Sequence, residues 1–379
     1  MKPLEDYLIV DFSQFLSGPS ASLRLADLGA RVIKIERPGV GDICRTLYTS
    51  DLIMNGESSV FHTINRNKES FAIDFKQPEE LEKLKKLLAK ADVVMHNFRP
   101  GVMERVGLSY DVVKSINPSV VYTEISGFGS NGTLKNLPGQ DLLLQSLTAL
   151  TWLSGNEEDG PVPMGLSIID MLAGTHIAQG ILAALYRKAM HQTGALVQVS
   201  MLESAFDFQF ETITTFYNDG GKLPLRTKSN NANAYLGAPY GIYQTKNGYL
   251  ALAMGEIPVL AKLLKCEELN RFPDNKFELR DEIKNILANH IKTQETQYWL
   301  DILEPADIWC SNVFNYQQLF EQEGFKVLDF VQEVSMEDGY QYKTTRCPIK
   351  IDGEIFIAQK GSPKLGQDNE RILEEFIDC

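Results

Sequence analysis

The chain has 379 residues, of which 44% are apolar and 23% charged, which is enough apolar material for two or three globular domains. Its formal net charge is −13 at pH 7. This acidic balance argues against nucleic acid and anionic membrane surfaces as partners. An anionic small molecule could bind only where cations are clustered locally.

The spacing of cysteines and apolar segments indicates a reduced, cytoplasmic protein. Five cysteines occur without the short spacing of a zinc site or a disulfide framework: Cys44, Cys266, Cys310, Cys347 and Cys379. Glu5 and Asp6 precede any apolar stretch, unlike in a signal peptide, and the most apolar long segment, residues 142–153, is too short to cross a bilayer. The five histidines show no metal-ligand spacing. We therefore predict neither membrane association nor a bound metal.

In chain order, the first third alternates strand-like with helix-like segments. The predicted strands cover residues 8–11, 31–36, 70–74, 93–96 and 120–125, and the predicted helices cover residues 20–28, 78–90 and 110–116. Such alternation favours a parallel sheet covered by helices on both faces. The sequence therefore predicts an α/β fold with a Rossmann-like large domain.

The rest of the chain predicts a second, smaller α+β domain. Helices are predicted from about residue 142 and at residues 167–188, 201–216, 258–266, 279–290, 296–303 and 370–376, with strands at residues 195–200, 241–245, 248–254 and 344–351. Asn247-Gly248 is typical of a β-hairpin turn. We predict a large domain of residues 1–200 completed by about 326–379, a small domain of residues 225–325, and linkers at about 201–224 and near 325.

One glycine-rich string has the pattern of a dinucleotide-binding loop. Gly127, Gly129 and Gly132 form G-x-G-x-x-G after a predicted strand. A dinucleotide fingerprint needs a helix that begins at this turn, so that its N–H groups meet the pyrophosphate, and Pro138 would interrupt such a helix. We therefore interpret residues 127–132 as a loop and predict no nicotinamide cofactor.

Asp170 is the acid with the most distinctive surroundings. Ser167-x-x-Asp170 fits a variant of the capping box, which gives the acid a structural role at the start of the long helix. Its neighbours are strongly apolar, so the carboxylate is expected to be partly desolvated. Gly174 and Ala178 follow at helical spacing and form a small-residue face that leaves room for a ligand or another backbone. The residues alone leave a structural and a functional role of Asp170 equally open.

Basic residues cluster near the predicted strand ends although the chain is acidic. Lys34 and Arg37 end the second strand, Lys76 follows the third, and Arg99 and Arg105 follow the fourth. In an open α/β sheet, ligands bind beyond the carboxyl ends of the strands. The repetition at successive ends favours an anionic ligand with several charges, although any one of these side chains could belong to a solvated face.

Short motifs also run in order along nearly the whole chain. They include Ser17-Gly18-Pro19, Gly39-Val40-Gly41-Asp42, Asn97-Phe98-Arg99-Pro100-Gly101, Ser126-Gly127-Phe128-Gly129, Pro138-Gly139-Gln140-Asp141, Asp170 with Gly174, and Ala238-Pro239-Tyr240. Their order resembles that of the class III CoA-transferases, the formyl-CoA transferase or carnitine–CoA transferase (CaiB/BaiF-type) family. The resemblance implies an interlocked homodimer of ring-shaped chains that acts on acyl-CoA and carboxylic acids.

The resemblance also implies roles for individual residues. It places the catalytic aspartate at Asp170. It implies contacts to coenzyme A from Leu16, Ser17, Arg37, Ile73, Lys76, Asn97, Phe98, Arg99 and Arg105, with Gln140 near the thioester. The cations among these positions are strand-end cations already noted. The implied reaction transfers CoA through an aspartyl anhydride and an aspartyl-CoA thioester, without metal or nicotinamide.

Some positions depart from the family pattern. Leu47 stands where formyl-CoA and oxalate enzymes have a Trp, Gln140 where many members have a Tyr, and no glycine-run loop is found. These departures argue against formate or oxalate specificity. In α-methylacyl-CoA racemase the corresponding Asp acts as an acid/base together with a His at the position of Gln140. The Gln140 amide of this chain cannot transfer a proton. Because Gly255-Glu256-Ile257-Pro258 resembles a racemase segment, that activity remains an alternative, as does a non-catalytic CoA-binding protein.

Overall fold

The computed structural model describes residues 2–274 and 277–377, so Cys379 lies outside the described residues. They group into two units: the described residues of Met1–Leu144, Ser167–Phe208 and Leu328–Cys379 form the first, and those of Gln145–Leu166 and Gln209–Val327 form the second. Residues 145–166, which we expected in the large domain, group with the second unit. The reason is tertiary, since the buried Arg226 guanidinium donates to the carbonyl oxygens of Ser154 and Gly160.

The bounds of the secondary-structure elements follow the apolar pattern closely. The strands are β1 (Leu8–Asp11), β2 (Arg31–Glu36), β3 (Ile53–Met54), β4 (Glu57–Ser58), β5 (Lys68–Ala72), β6 (Val93–His96), β7 (Val121–Ser126), β8 (Ala195–Ser200), β9 (Gly241–Gln244), β10 (Tyr249–Met254), β11 (Trp309–Asn312), β12 (Val331–Ser335), β13 (Gln341–Thr345), β14 (Lys350–Ile351) and β15 (Glu354–Ile355). The helices are α1 (Ser17–Asp27), α2 (Ser59–Asn65), α3 (Pro78–Leu88), α4 (Val102–Arg105), α5 (Tyr110–Ile116), α6 (Asp141–Leu147), α7 (Ile168–His191), α8 (Met201–Phe208), α9 (Phe210–Asn218), α10 (Ile257–Leu264), α11 (Arg280–Ile291), α12 (Thr296–Leu303), α13 (Tyr316–Glu321), α14 (Glu323–Lys326) and α15 (Asn369–Phe376).

The first unit is built on a parallel sheet with the strand order β5-β2-β1-β6-β7-β8. Every neighbouring pair in it is parallel. The predicted α/β fold with a large parallel sheet is therefore confirmed. The order of strands reverses between β1 and β6, which makes the carboxyl ends of these two strands the topological switch point, where ligands of such sheets bind.

Helices cover both faces of this sheet because successive strand residues point to opposite sides. Ile9 faces a core shared with α1 and α7, which contribute Leu25 and Ile177. Val10 faces a second core with α3 and α15, which contribute Leu84 and Ile372. Strand β1 is buried on both faces. Its sequence is therefore a short continuous apolar run, without the alternation of apolar and polar residues seen in a half-exposed strand.

Helix α7 is the described helix that is long and apolar enough to cross a membrane by length and composition alone. Its most apolar 18-residue window has a mean hydropathy of 1.5, and 44% of that window is buried inside the structure. This helix, rather than the shorter segment 142–153, is the one that passes this test of length and composition. Ile177 and Ile181 of α7 lie in the core against the sheet, as in a core helix.

The second unit has a small antiparallel sheet in the order β11-β10-β9. The turn at Asn247-Gly248 closes the β9–β10 hairpin, and the Thr245 N–H donates to the Gly248 carbonyl oxygen at 2.9 Å. Helices α10, α11 and α12 pack on this sheet around a core that includes Tyr243, Leu250 and Trp299.

Two predicted elements are interrupted in the structure, and the strand predicted at residues 70–74 lies two residues earlier, at Lys68–Ala72. The helix expected over residues 201–216 is broken at Gln209, so that α8 ends at Phe208 and α9 begins at Phe210. The strand expected over residues 344–351 is interrupted between β13 and β14. Pro348 lies in the gap, and a proline cannot donate to a strand ladder.

Candidate active site

Asp170 lies in the first turn of α7, and its side chain is not used to cap the helix. Ser167 makes no side-chain cap hydrogen bond. Instead the Asp141 carboxylate at the start of α6 accepts hydrogen bonds from the N–H groups of Ile169 (2.8 Å) and Asp170 (3.1 Å). The predicted capping box is therefore wrong, because a carboxylate distant in sequence satisfies the free N–H groups of the helix end. The Asp170 carboxylate is left available for other contacts.

The Asp170 carboxylate lies against the start of α1. The hydroxyl and the backbone N–H of Ser17 lie close enough to this carboxylate to lower its pKa. Burial raises the pKa of Asp170, the nearby Asp141 charge raises it further, and the hydroxyl and N–H of Ser17 lower it, so that the pKa lies at about 6. Above this pH the group is an ionised and weakly solvated carboxylate, which is the state a carboxylate nucleophile requires.

The small-residue face of α7 accommodates the backbone of α1. A Cβ atom added to Gly174 would lie 2.4 Å from Oγ of Ser20 and 2.7 Å from the carbonyl oxygen of Ser17. Only glycine permits this approach. Of the two alternatives left open by the sequence, a ligand or another backbone, the structure places a backbone beside Gly174. The close packing brings Ser17 to Asp170.

The glycine-rich string forms a loop, as predicted. No helix begins between residue 127 and α6 within the described residues, so the string lacks the helix of a dinucleotide site. A Cβ atom on Gly127 would lie 2.6 Å from Cα of Gly139. This backbone contact fixes the segment that leads into Asp141, and thereby the cap of α7.

Four of the predicted CoA-binding cations form an exposed group, which we call the outer cations: Arg37, Lys76, Arg99 and Arg105. Arg37 directly follows β2, Lys76 follows β5, and Arg99 follows β6. Because these strands are parallel, their carboxyl ends lie at one edge of the sheet. The structure records no ion pair for any of the four side chains among the residues it describes.

Lys34 differs from the outer cations although it lies near the same strand end. Its Nζ lies 2.8 Å from Oδ2 of Asp42 and donates to the Ser13 carbonyl oxygen at 2.7 Å. Burial lowers its pKa, but the carboxylates of Asp42 and Asp11 raise it more, so that the pKa lies above its usual value. The structure thus removes Lys34 from the predicted anion-binding group, because β2 is an inner strand with both faces covered.

A second buried pair lies next to it. Lys68 Nζ is 3.5 Å from Oδ2 of Asp11 and donates to the carbonyl oxygen of Pro19 at 3.0 Å. Burial lowers the pKa of Lys68 to about 7. We call Lys34, Asp42, Lys68 and Asp11 the inner charges, and each is paired within the protein.

The other predicted CoA contacts differ in position and in burial. Asn97 follows β6, and its side chain holds the backbone of Gln14. Phe98 is half-buried and stacked on the ring of His96 at 5.9 Å. The remaining positions differ in burial: Leu16 is half-buried, Ser17 and Ile73 are buried, and Gln140 is exposed. The Ile73 side chain lies in the core and its N–H donates to the Glu36 carbonyl oxygen at 3.0 Å, so only its carbonyl oxygen is left for a ligand.

Sequence reasoning missed two groups at the site. Asp141 was noted only as part of a motif, and its role as the cap of α7 depends on a tertiary contact. The bonding of Asn97 to Gln14 was also missed. An acid that follows a proline-glycine pair is the one local signal that could have drawn attention to Asp141.

A Ser–His–Asp arrangement occurs elsewhere in the first unit. Nδ1 of His176 lies 3.0 Å from Oγ of Ser204, and Nε2 lies 3.2 Å from Asp207. Ser204 is 2% exposed, whereas the Asp207 side chain is 69% exposed. A catalytic triad needs an accessible hydroxyl and a shielded carboxylate. Here the burial is reversed, so the arrangement links α7 to α8.

Comparison with known proteins places the chain in a family. The model of CoA-transferase family III matches residues 4–369. The chain belongs to this family. A succinyl-CoA:glutarate CoA-transferase of Mus musculus is 29% identical over 385 residues, covering 100% of this chain and 87% of that protein. An acetyl-CoA:oxalate CoA-transferase of Acetobacter aceti is 32% identical, covering 99% and 96%.

A solved structure agrees with this assignment. A CaiB/BaiF family protein from Brucella suis has a TM-score of 0.85 and 27% identity, and the match covers 99% of each chain. The protein is therefore a CoA-transferase of family III, and enzymes of this family use CoA thioesters as substrates. Among residues 2–274 and 277–377, no group of three or more His, Cys, Asp or Glu side chains could hold a metal ion.

Proposed function

We propose that this enzyme transfers CoA from an acyl-CoA thioester to a carboxylic acid, with Asp170 as the covalent nucleophile. The observation that carries the proposal is the half-buried Asp170 carboxylate, which lies beside Ser17 where α1 packs closely on α7, next to the switch point of the sheet. Its pKa of about 6 leaves it mostly ionised at neutral pH. Burial weakens its solvation and favours attack on a carbonyl carbon.

The first half-reaction transfers CoA to the enzyme. An oxygen of Asp170 attacks the thioester carbonyl carbon, the C–S bond breaks, and the CoA thiolate leaves, so that an aspartyl–acyl anhydride forms. The thiolate then attacks the Asp170 carbonyl carbon and expels the donor acid as its carboxylate. The product is an aspartyl-CoA thioester, and no proton needs to be transferred.

The second half-reaction reverses these steps with the acceptor. The acceptor carboxylate attacks the aspartyl-CoA carbonyl carbon and releases the thiolate, which gives a new anhydride. The thiolate attacks the acceptor carbonyl carbon, and Asp170 leaves as a carboxylate. One thioester replaces another, so the exchange is close to isoenergetic.

Ser17 is suited to stabilise charge during both exchanges at Asp170. Whenever the thiolate or a carboxylate attacks the Asp170 carbonyl carbon, negative charge develops on the carboxyl oxygen of Asp170. The N–H and hydroxyl of Ser17 lie close to this carboxyl group. Fixed donors at a developing oxyanion lower the barrier because they need no reorganisation.

CoA is proposed to bind along the carboxyl edge of the sheet. The outer cations are exposed there on a protein of net charge −13, and the phosphates of CoA carry several negative charges. Phe98 offers a half-buried ring to the adenine, Asn97 and Leu16 border the same edge, and Ile73 is proposed to contact CoA through its carbonyl oxygen. Gln140 is proposed to lie near the thioester, as the family resemblance implies.

The names of relatives suggest short-chain substrates. Succinyl-CoA and acetyl-CoA are the donors, and glutarate and oxalate the acceptors, in the names of the two relatives described above. We infer a small carboxylic acid as acceptor. Leu47 and Gln140 argue for a dicarboxylate other than oxalate, since the positions correspond to a Trp and a Tyr in enzymes of the formyl-CoA and oxalate type.

The functional form is proposed to be an interlocked cytoplasmic homodimer. Large apolar side chains are exposed on several elements of the single chain, including Tyr186 (71%) on α7 and Tyr217 (76%) on α9. Burial against a second chain would remove such surface from water. Light scattering of the purified protein should give twice the chain mass, and a monomer at all concentrations would contradict this part of the proposal.

A CoA-exchange assay tests the proposed function. Succinyl-CoA or acetyl-CoA is incubated with glutarate, mesaconate or oxalate, and the new acyl-CoA is measured by chromatography. We expect transfer to at least one acid and none with Asp170→Asn. The same assay in deuterated buffer tests the racemase alternative: α-deuterium in the recovered thioester, without transfer to any acid, would replace the proposal.

A further inference from the structure

The loop between β1 and α1 has a constrained backbone. Phe15 has a φ of +62°, in the left-handed region that residues other than glycine seldom adopt. Such a conformation carries a conformational cost and persists only where the surrounding structure enforces it. The loop, residues 13–16, leads directly into Ser17, whose two donors contact Asp170.

The pair of Lys34 and Asp42 holds one side of this loop. Nζ of Lys34 donates to the Ser13 carbonyl oxygen at 2.7 Å. Oδ1 of Asp42 accepts the Phe15 N–H at 3.3 Å, and its other oxygen pairs with Lys34 at 2.8 Å. Both charged side chains are about 1% exposed, so the pair is shielded from water and from salt.

Asn97 holds the opposite side. Its Oδ1 accepts the Gln14 N–H at 2.8 Å, and its Nδ2 donates to the Gln14 carbonyl oxygen at 2.6 Å. The same Nδ2 lies 3.4 Å from Oγ of Ser17. Three side chains thus fix backbone groups of three consecutive residues just before the residue that contacts Asp170.

We propose that Lys34, Asp42 and Asn97 are positioning residues that hold the loop at residues 13–16 so that Ser17 presents both donors to Asp170. The inference rests on the proposed role of Asp170 as the nucleophile. The three residues act through Ser17 and do not need to touch the reacting atoms. They explain why a strained phenylalanine is retained at this position and why Lys34 is buried instead of binding an anion.

Positioning and direct charge effects predict opposite pH shifts. The charge that acts on Asp170 is that of Asp141 from α6. The Cys44 thiol is also near, but burial and the Asp42 charge raise its pKa to about 12, so it stays neutral. Replacing Asp42 by Asn removes a negative charge, which by itself cannot raise the pKa of Asp170. Loss of the Ser17 hydrogen bonds does raise it.

The test compares Asp42→Asn with a matched control, Asp27→Asn. Asp27 forms an equally buried ion pair with Arg66 at 2.8 Å, but at the far end of α1. The measurement is kcat for CoA exchange as a function of pH. For Asp42→Asn we expect kcat to fall about tenfold and its acidic limb to move to higher pH, with the KM for acyl-CoA unchanged. For Asp27→Asn we expect an unchanged pH profile.

A charge-balanced variant covers the case in which Asp42→Asn does not fold. Lys34→Met combined with Asp42→Asn removes both buried ions together, which folded proteins generally tolerate better than removal of one. The acidic limb of the pH profile of kcat should still move to higher pH in this double variant. A limb that stays in place or moves to lower pH in either folded variant would overturn the positioning role.

The proposed function is checked separately in the wild-type protein. If wild type forms a covalent adduct on Asp170 and the variants show the acidic limb of kcat at the wild-type pH, the positioning role fails while the proposed function stands. If wild type forms no adduct on Asp170, the proposed function fails first.

Discussion

Two sets of charges belong to the parallel sheet and the segments that follow its strands, and they differ in burial and in pairing. The inner charges Lys34 and Lys68 are buried and paired with Asp42 and Asp11. The outer cations are exposed, and the described residues give them no ion pair. Burial thus distinguishes the two sets. The buried lysines bind backbone carbonyl oxygens and carboxylates of the protein, whereas the outer cations are free to bind a ligand.

The comparison assigns different kinetic roles to the two sets. A change among the inner charges should alter the rate of the chemical step, because these charges support the loop that leads to Ser17. A change among the outer cations should alter the KM for acyl-CoA. Interactions made equally in the ground state and the transition state change KM and leave kcat unaffected.

The largest expected effect comes from removing the nucleophile while the inner charges and the outer cations stay intact. Asp170→Asn should lower kcat by a factor of about 10⁴ or more, while binding of CoA, measured by calorimetry, should persist because the outer cations are untouched. Loss of CoA binding together with activity would show that Asp170 holds the ligand and would break the comparison.

The same variant should be more stable than wild type. Burial raises the pKa of Asp170 from 3.8 to about 6, so the folded state binds this proton more tightly than the unfolded state, and stability is lost as pH rises from about 4 through 6. Asparagine removes that cost. Allowing for partial exposure, we expect a gain of about 1–2 kcal/mol at pH 7, measured by urea unfolding, and no gain at pH 3.5.

The next effect concerns the contact between α1 and α7. Gly174→Ala should push α1 away from Asp170, lower kcat by about 10–100-fold and destabilise the fold by about 1–3 kcal/mol. Gly180→Ala in the same helix is the matched control, because its Cβ would meet a side-chain methyl of Val197 instead of backbone. Equal kcat losses in both variants would exclude a specific role of the contact.

A smaller effect is expected from the outer cations. The double variant Arg37→Ala and Arg99→Ala should raise the KM for acyl-CoA about tenfold, with kcat within about twofold of wild type, and should weaken the salt dependence of KM. The control double variant, Lys222→Ala and Arg271→Ala, removes the same charge from exposed sites of the second unit. A kcat loss without a KM change would assign these arginines to the chemistry.

The smallest effect is a pH shift from Asp141. Wild-type kcat should rise with pH through about 6 as Asp170 ionises. Asp141→Asn removes a neighbouring negative charge and should move this limb to lower pH, by less than one unit. A shift to higher pH would mean that Asp141 affects the pKa of Asp170 mainly through its capping hydrogen bonds to α7, and not through its charge.

Much of the first unit follows from local sequence. The bounds of β1, β2 and β6 match their predicted bounds because each is a short apolar run between turn residues. The break at Gln209 had no such signal, since apolar residues continue through it. Local pattern therefore specifies the buried strands better than it specifies where a helix ends.

The site was predicted only in part, for a physical reason. The sequence singled out Asp170, and a family resemblance supplied its catalytic role and Ser17, but the contact between them depends on how closely α1 and α7 pack. Lys34 and Arg37 are three residues apart, and only the coverage of β2 on both faces distinguishes them. Asp141 caps a helix 27 residues further along the chain, which no local rule identifies.

Mass spectrometry of the Asp170 peptide tests the central claim most directly. The wild-type protein is incubated with succinyl-CoA or acetyl-CoA in deuterated buffer, and covalent intermediates are trapped with hydroxylamine or borohydride. The account predicts a modified Asp170 peptide that is absent from Asp170→Asn, and no α-deuterium in the recovered thioester. An unmodified Asp170 peptide in a protein that still exchanges CoA would contradict it.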